Sequence, residues 1–423
     1  MSTSSFRRPD GRRRVVVTGG GMLSALGDDW DEAFRNLKAG KNFIKYMKSW
    51  DKYARVNTRL ACPYEKELPA YPRKKIRGMG RVARLSLEAT ERALLMARLK
   101  KDDGEILDEL HNGRTGIAYG SCMGSMDSIV ELYSIELDNN TSLINSQTYI
   151  KCMPQTCLCN LSVFYELRGR MITTNSACTS GSQAIGYAYE TIASGIQDIM
   201  IAGGAEELVA PDAAVFDTLG AAACLNDRPD LEPKPFDCAR DGLVVGEGAG
   251  TLILEDMEHA VSRGADIFAE VAGFGTNADG THITNPNPDT MAASMELALA
   301  DAGIAPSDIA YVNAHGTSTV TGDIAESHAT YKVFDRPVPI SSTKSYIGHT
   351  LGACGGIEAW LSINMMNSSW FHPNLNLTSP DPRCAPLGYI MGSGLDAEAE
   401  YIMSNNFAFG GINTSLVFRR FRA

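Results

Sequence analysis

A chain of 423 residues is long enough for two or three average domains, or for one large duplicated unit. With 44% hydrophobic, 21% charged and 8% aromatic residues it can bury a large core, which excludes disordered and fibrous architectures. Thirty-nine basic against fifty acidic residues give a formal charge of −11, which argues against nucleic acid as a bulk partner and leaves room for a local basic patch. No uncharged apolar run reaches the roughly eighteen residues of a membrane span and no apolar signal core opens the chain, so no membrane association and a cytoplasmic location are expected. The ten cysteines are scattered among apolar and small residues without a C-x-x-C, which fits a reducing compartment. Cys152, Cys157 and Cys159 have no nearby histidine and read as core thiols, so no metal site is expected there.

In chain order, the Arg-rich arm ending at Arg14 is expected to be frayed and solvated. The β-branched run from Val15 to Thr18, followed by Gly19, Gly20 and Gly21, predicts a strand entering a tight turn. Ser24 stands where a dinucleotide fingerprint needs its third glycine, so nucleotide binding is not expected. Helical spacing covers 29–38 and 85–99, and short buried strands over 114–119 and 198–202 each end in glycine. This alternation predicts an α/β protein with mainly parallel sheets. Between these elements, Arg73, Lys74, Lys75, Arg77, Arg81 and Arg84 put six positive charges into twelve residues of an otherwise acidic chain.

Two stretches repeat one organisation. Residues 171–195 read as a strand with Thr and Ser, then Cys178, then a small-residue helix; residues 339–363 read as a strand with Ser and Thr, then His349, then a small-residue helix. A second half begins near Ile267, which divides the chain into 15–266 and 267–423. Cys178 sits where a helix begins, and first-turn N–H groups and the helix dipole there favour the thiolate. His315 lies in a strand that ends in the polar turn Gly316-Thr317-Ser318-Thr319. No acidic group adjoins either histidine in sequence to suggest a hydrolytic triad.

The stretches TTNSACTSGS, AGGAEE, FDCARDGLVVGEGAG, NAHGTSTVTGD, SSTKSYIGHTLGACGG and SNNFAFGGIN, in this order from about Val15 to Phe418, resemble the β-ketoacyl-acyl-carrier-protein synthases of the Cys-His-His type. The resemblance implies a duplicated thiolase fold in five layers, αβαβα, with the active site between the halves. It implies an acyltransferase: Cys178 takes an acyl group from a carrier-protein thioester, and malonyl carrier protein loses carbon dioxide and attacks it. His315 and His349 then act as neutral donors to the enolate oxygen. Lys344 and Glu326 match the family's charged pair near the site, and backbone N–H groups of Cys178 and of the loop Phe407-Ala408-Phe409-Gly410 match its oxyanion hole, with Phe409 as the gate. Thr317 and Thr319 match the hydroxyls that hold the phosphopantetheine arm, which the acyl carrier protein supplies; no other cofactor is implied. Met123 matches a position that sets acyl chain length, and the basic run, Arg73, Lys74, Lys75, Arg77 and Arg81, is read as a docking patch for the acidic carrier protein. A homodimer is implied, with a heterodimer with a related subunit as the other form.

The sequence also departs from the family pattern. Ala408 replaces a glycine and Ile412 a threonine in the gating loop, Val320 replaces a common proline, and Ala223 stands near a basic docking position. Two other readings share the fold. A non-catalytic chain-length partner would lack the nucleophile that Cys178 retains, and a coenzyme A-dependent thiolase would need a second cysteine where Asn405-Asn406-Phe407 stands.

Overall fold

The computed structural model describes residues 6–101 and 103–422. The strands are β1 (Val15–Leu23), β2 (Thr115–Gly120), β3 (Met171–Thr174), β4 (Ile199–Glu206), β5 (Gly248–Asp256), β6 (Ala269–Ala278), β7 (Ile309–Asn313), β8 (Pro339–Ser341), β9 (Gly388–Tyr389), β10 (Tyr401–Ala408) and β11 (Ile412–Arg420). They form a continuous eleven-stranded sheet in the order β9-β8-β7-β10-β11-β6-β1-β5-β4-β2-β3. From β1 to β5 the chain follows one plan: the first strand pairs antiparallel with the fifth, the fifth antiparallel with the fourth, and the fourth, second and third run parallel. β6, β7, β8, β10 and β11 repeat that plan strand for strand. β9 adds a parallel edge, and an antiparallel contact between β1 and β6 joins the two sets. The sheet is thus evenly mixed rather than mainly parallel, because the fifth strand of each set runs against both its neighbours and β1 runs against β6.

The helices used below are α1 (Trp30–Lys38), α2 (Arg73–Ile76), α3 (Arg81–Met96), α4 (Met126–Asp138), α5 (Ser180–Ala193), α6 (Pro288–Ala302), α7 (Val320–Phe334) and α8 (Cys354–Ser368). α5 and α8 pack against each other in the middle and reach strands of both sets. α3 covers the outer face of β1 and β5, while α6, backed by α7, covers that of β6 and β11. The layering is αβαβα, the thiolase-type architecture. All but two residues of α8 are buried, which fits a helix enclosed on every side.

Four local expectations are corrected. Gly19, Gly20 and Gly21 lie inside β1 and make no turn: a Cβ on them would fall 2.3 Å from the Ala93 carbonyl, 2.3 Å from the Trp360 ring and 2.1 Å from the Ala89 carbonyl. The glycines let α3 and α8 approach the strand from opposite faces. β4 likewise continues through Gly203 and Gly204 to Glu206. α3 occupies Arg81–Met96, earlier than the 85–99 expected, because Arg81 is anchored at its start by buried Glu247. Finally, the described part of the N-terminal arm is pinned, not frayed. Arg8 donates to Tyr189 Oη at 2.5 Å and to the Ala272 carbonyl at 2.6 Å, Arg12 to Asp301 at 2.6 Å, and Arg13 to Asp198 at 2.7 Å. Arg14 brackets Glu270 at 2.9 and 2.6 Å. These carboxylates are largely buried, so the arm's arginines serve as their counter-charges.

Candidate active site

β3 delivers the chain into a tight turn, Ala177–Thr179, that leads directly into α5. Ala177 takes a left-handed φ of +49°, a strained conformation for an L residue, and it turns Cys178 into the space between the two halves. At the equivalent place after β8, the segment through Gly348 (φ +65°) sets His349 before the turn Leu351–Ala353 and α8. His315 follows β7. One atom from each of Cys178, His315 and His349 lies within 4.8 Å of the other two, and all three residues are buried. The imidazoles meet edge to face, with centroids 5.1 Å apart and planes at 88°. The Leu351 N–H donates to His349 Nδ1 at 3.3 Å, which places that ring's proton on Nε2.

The electrostatics correct one expectation and support another. Burial pushes the Cys178 thiol up to about 11, against the opposing pull of the Lys344 ammonium and of the Phe409 and Cys178 N–H groups. Desolvation therefore outweighs the helix start, and the resting thiol is neutral. Those two N–H groups nonetheless both face the Cys178 sulfur. Burial, reinforced by Lys344, holds His315 and His349 well below the ordinary imidazole range, so both are neutral.

Lys344 and Glu326 do not pair directly. Lys344 Nζ meets Glu358 Oε1 at 2.5 Å inside the core, and Asn406 Nδ2 donates to the other oxygen of that carboxylate at 2.8 Å. Burial pulls the Lys344 ammonium down, but Glu358 more than offsets it and keeps it charged. Glu326 instead accepts the His315 and Gly316 backbone N–H groups, each at 2.7 Å, so it fixes the turn that carries the imidazole. Burial raises its carboxyl to about 8. Asp323 supports the same turn from behind, accepting from Ser318 N–H at 3.1 Å and Phe236 N–H at 2.7 Å beside Arg240.

A cleft of about 670 Å³, counted to its open mouth, reaches Cys178, His315 and His349 and is lined by Thr317, Thr319, Phe407 and Phe409. The hydroxyls of Thr317 and Thr319 are 3.0 Å apart. Phe407 stands 6.3 Å from the His315 ring, and Phe409 packs on Phe216 with centroids 5.6 Å apart. Ala408 and Ile412 are directly paired at the base of the hairpin formed by β10 and β11, and Gly410 and Gly411 make its turn with positive φ. Sequence reasoning missed three contributors: Glu358, Phe216 and the loop 279–287, which touches the hairpin where Gly410 N–H donates to the Ile283 carbonyl at 2.8 Å. Glu358 had a signal in the sequence, a lone charge within the apolar stretch CGGIEAWLSI.

The remaining residues lie elsewhere. Met123 is 40% exposed and does not line the cleft; its neighbour Cys122 packs against the same apolar cluster as Phe409. Arg73, Lys74 and Arg77 are exposed on and beside α2, and Lys75 lies 5.2 Å from the Phe164 ring centroid. Arg81, its side chain 44% exposed, also grips Glu247 at 2.5 and 2.9 Å and the Tyr64 carbonyl at 2.9 Å, so it has a structural role besides the expected docking one. Among the described residues, no helix is long and apolar enough to cross a membrane.

Comparison with known proteins shows the family. The 3-oxoacyl-[acyl-carrier-protein] synthase 2 of Vibrio cholerae is 36% identical over 97% of this chain and 99% of its own length. The crystal structure of a β-ketoacyl synthase from Burkholderia phymatum is 54% identical, with a TM-score of 0.94 over 97% of this chain and 100% of that one. A ketosynthase bound to a hexaketide and in complex with its type II polyketide acyl-carrier protein is 30% identical, with a TM-score of 0.85 over 97% of this chain and all of that one. The β-ketoacyl synthase N-terminal domain matches residues 12–260 and the C-terminal domain residues 268–378. With Cys178 in the first of these segments and both histidines in the second, the chain belongs to the β-ketoacyl synthase family.

Proposed function

We propose that this protein is a 3-oxoacyl-[acyl-carrier-protein] synthase that joins a Cys178-bound acyl group to malonyl carrier protein with loss of carbon dioxide. The observation that carries the reading is the buried convergence of one thiol and two neutral imidazoles within 4.8 Å. In the first step the Cys178 sulfur loses its proton and attacks the thioester carbonyl. The oxyanion is held by the N–H groups of Cys178 and Phe409, and the pantetheine thiol leaves with a proton. In the second step the malonyl carbon–carboxylate bond breaks. The electron pair stays on the carbon as an enolate whose oxygen faces His349 Nε2–H and His315, and that carbon displaces the Cys178 sulfur to give the 3-ketoacyl product. Neutral donors suit this step because they hydrogen-bond the enolate oxygen without quenching the carbanion.

Thr317 and Thr319, on the cleft wall, are assigned to the phosphopantetheine arm that the carrier protein brings, and no further cofactor is assigned. Arg73, Lys74 and Arg77 are assigned to carrier docking. The repeated strand plan supports a division of the chain at 266/267. A cytoplasmic homodimer is the proposed assembly: the sheet ends on the open edge of β3, and α4 exposes Val130, Tyr133 and Leu137. The test incubates the protein with acyl carrier proteins of graded chain length, reads the mass of the Cys178 peptide, and then adds malonyl carrier protein. Acylation followed by carbon dioxide release and a two-carbon extension is expected. An unmodified Cys178 across the whole series would sink the reading.

A further inference from the structure

Cys178, His315 and His349 together have the composition of a metal site as well as of a condensing site. Their ligand atoms lie within 4.8 Å of one another and all three residues are buried. His315 Nδ1 and His349 Nε2 have no hydrogen-bond partner among the described residues. We propose that this triad is also a three-ligand site for a thiophilic divalent cation, Zn²⁺ by its chemistry, and that occupation switches the nucleophile off.

A tetrahedral Zn²⁺ holds sulfur at about 2.3 Å and imidazole nitrogen at about 2.0–2.1 Å, which brings ligand atoms to roughly 3.3–3.7 Å from one another. Contraction by at most about 1.5 Å from the present spacing is a matter of side-chain rotation, and the edge-to-face rings already converge. The fourth position opens to the cleft, which reaches all three residues, and is left for water or for an incoming thiol. The proton balance closes without any change of oxidation state. The thiol proton leaves to solvent when sulfur binds the ion. The His349 proton moves from Nε2 to Nδ1, at the cost of the 3.3 Å hydrogen bond from Leu351 N–H. His315 sacrifices no side-chain bond, since its Nδ1 is unpartnered. The Lys344 ammonium opposes a cation here, and its 2.5 Å bridge to Glu358 offsets part of that repulsion. A soft thiolate with two imidazoles selects Zn²⁺ or Cd²⁺ over Mg²⁺ and Ca²⁺, which require oxygen ligands.

The experiment uses the full chain, freed of metal by a chelator, and follows iodoacetamide labelling of individual cysteine peptides with and without equimolar Zn²⁺. Exposed Cys224 and Cys238 serve as internal references. Zn²⁺ is expected to slow labelling of Cys178 by about tenfold or more, Mg²⁺ to leave it unchanged, and the chelator to restore it. Cd²⁺ should produce a sulfur-to-metal charge-transfer band in the ultraviolet that Cys178→Ser abolishes. His315→Gln with His349→Gln should remove the protection. Unchanged labelling of Cys178 in the presence of Zn²⁺ overturns the proposal, as does protection that survives loss of both imidazoles. If the double variant does not fold, the Cd²⁺ band decides: a band of equal strength in Cys178→Ser overturns the proposal.

Discussion

Removing Glu358 should destabilise the fold far more than removing Glu358 and Lys344 together. Both side chains are 1% exposed and meet at 2.5 Å, and the carboxylate also holds Asn406 at 2.8 Å. Glu358→Ala strands an ammonium in the core. Losing one member of a buried pair costs about 3–5 kcal/mol, and the orphaned Asn406 amide adds about 1 kcal/mol. Lys344→Met with Glu358→Leu removes both charges and fills the space, which leaves stability within about 2 kcal/mol of the native chain. Chemistry should not recover with stability. The Lys344 ammonium draws the Cys178 thiol down, whereas burial pushes it up to about 11. Without the ammonium the thiol rises further, and each unit is a tenfold loss of thiolate at a given pH. The assay pairs chemical denaturation of the three proteins with the rate of Cys178 alkylation from about pH 7 to 10. The double variant should unfold near the native midpoint and alkylate about tenfold more slowly, its profile displaced to higher pH. A double variant as unstable as Glu358→Ala, or one with the native alkylation profile, would refute the assignment of Lys344 as the charge that tunes Cys178.

Three further outcomes are expected. Lys74→Glu with Arg77→Glu should raise KM for carrier-bound substrates in a salt-sensitive way and spare small pantetheine thioesters, whereas Arg81→Ala should instead lower stability by about 2 kcal/mol by leaving buried Glu247 without its guanidinium; equal loss on both substrate types would make α2 structural. Cys122→Phe, within the apolar cluster behind Phe409, should restrict the enzyme to short acyl chains while Met123→Gly leaves the chain-length profile unchanged, and the opposite pattern would return the channel to Met123. Gly355→Ala would place a Cβ 2.3 Å from Ser182 N, so α5 and α8 must separate, and a shift of about 1 Å at the reacting groups lowers kcat by about 10²-fold with the fold intact; an unchanged kcat would show that this contact does not set the Cys178–His349 spacing.

The reactive residues were legible because each stands beside small residues at the end of a short strand, a pattern a packed core does not need. Their partners were less so. Lys344 has buried carboxylates on either side in sequence, Glu326 and Glu358, and only the path of α8 behind the turn decides that Glu358 is the one it meets. The glycine runs misled for a related reason. In sequence Gly19-Gly20-Gly21 looks like a turn, and only the approach of Ala89, Ala93 and Trp360 from distant elements shows that it is a strand squeezed from both faces. The thiol was misjudged because the helix start is local and visible, whereas the desolvation that outweighs it is a property of the assembled halves. The arm before Val15 has no apolar pattern at all. The order of its described part comes from Asp198, Glu270 and Asp301, which lie far along the chain.

The duplicated plan explains why the site condenses rather than hydrolyses. Equivalent strand ends carry different groups: Cys178 answers to His349 after the third strand of each set, and Ser121-Cys122 answers to His315-Gly316 after the second. Each set also keeps a buried carboxylate there, but both are turned onto the main chain. Glu206 accepts the Cys122 N–H at 2.7 Å and the Gly352 N–H at 3.1 Å, and Glu326 accepts the His315 and Gly316 N–H groups at 2.7 Å. Among the described residues, neither imidazole is hydrogen-bonded to a carboxylate. A histidine paired with a carboxylate gains proton affinity and becomes a general base able to activate water. These two lack that partner and lie beside a buried ammonium, so they stay neutral, as the proposed donor role requires. The carboxylates thus set the turns in place while leaving the imidazoles poor bases, so in the proposed mechanism an acyl group on Cys178 waits for a carbon nucleophile instead of being lost to water.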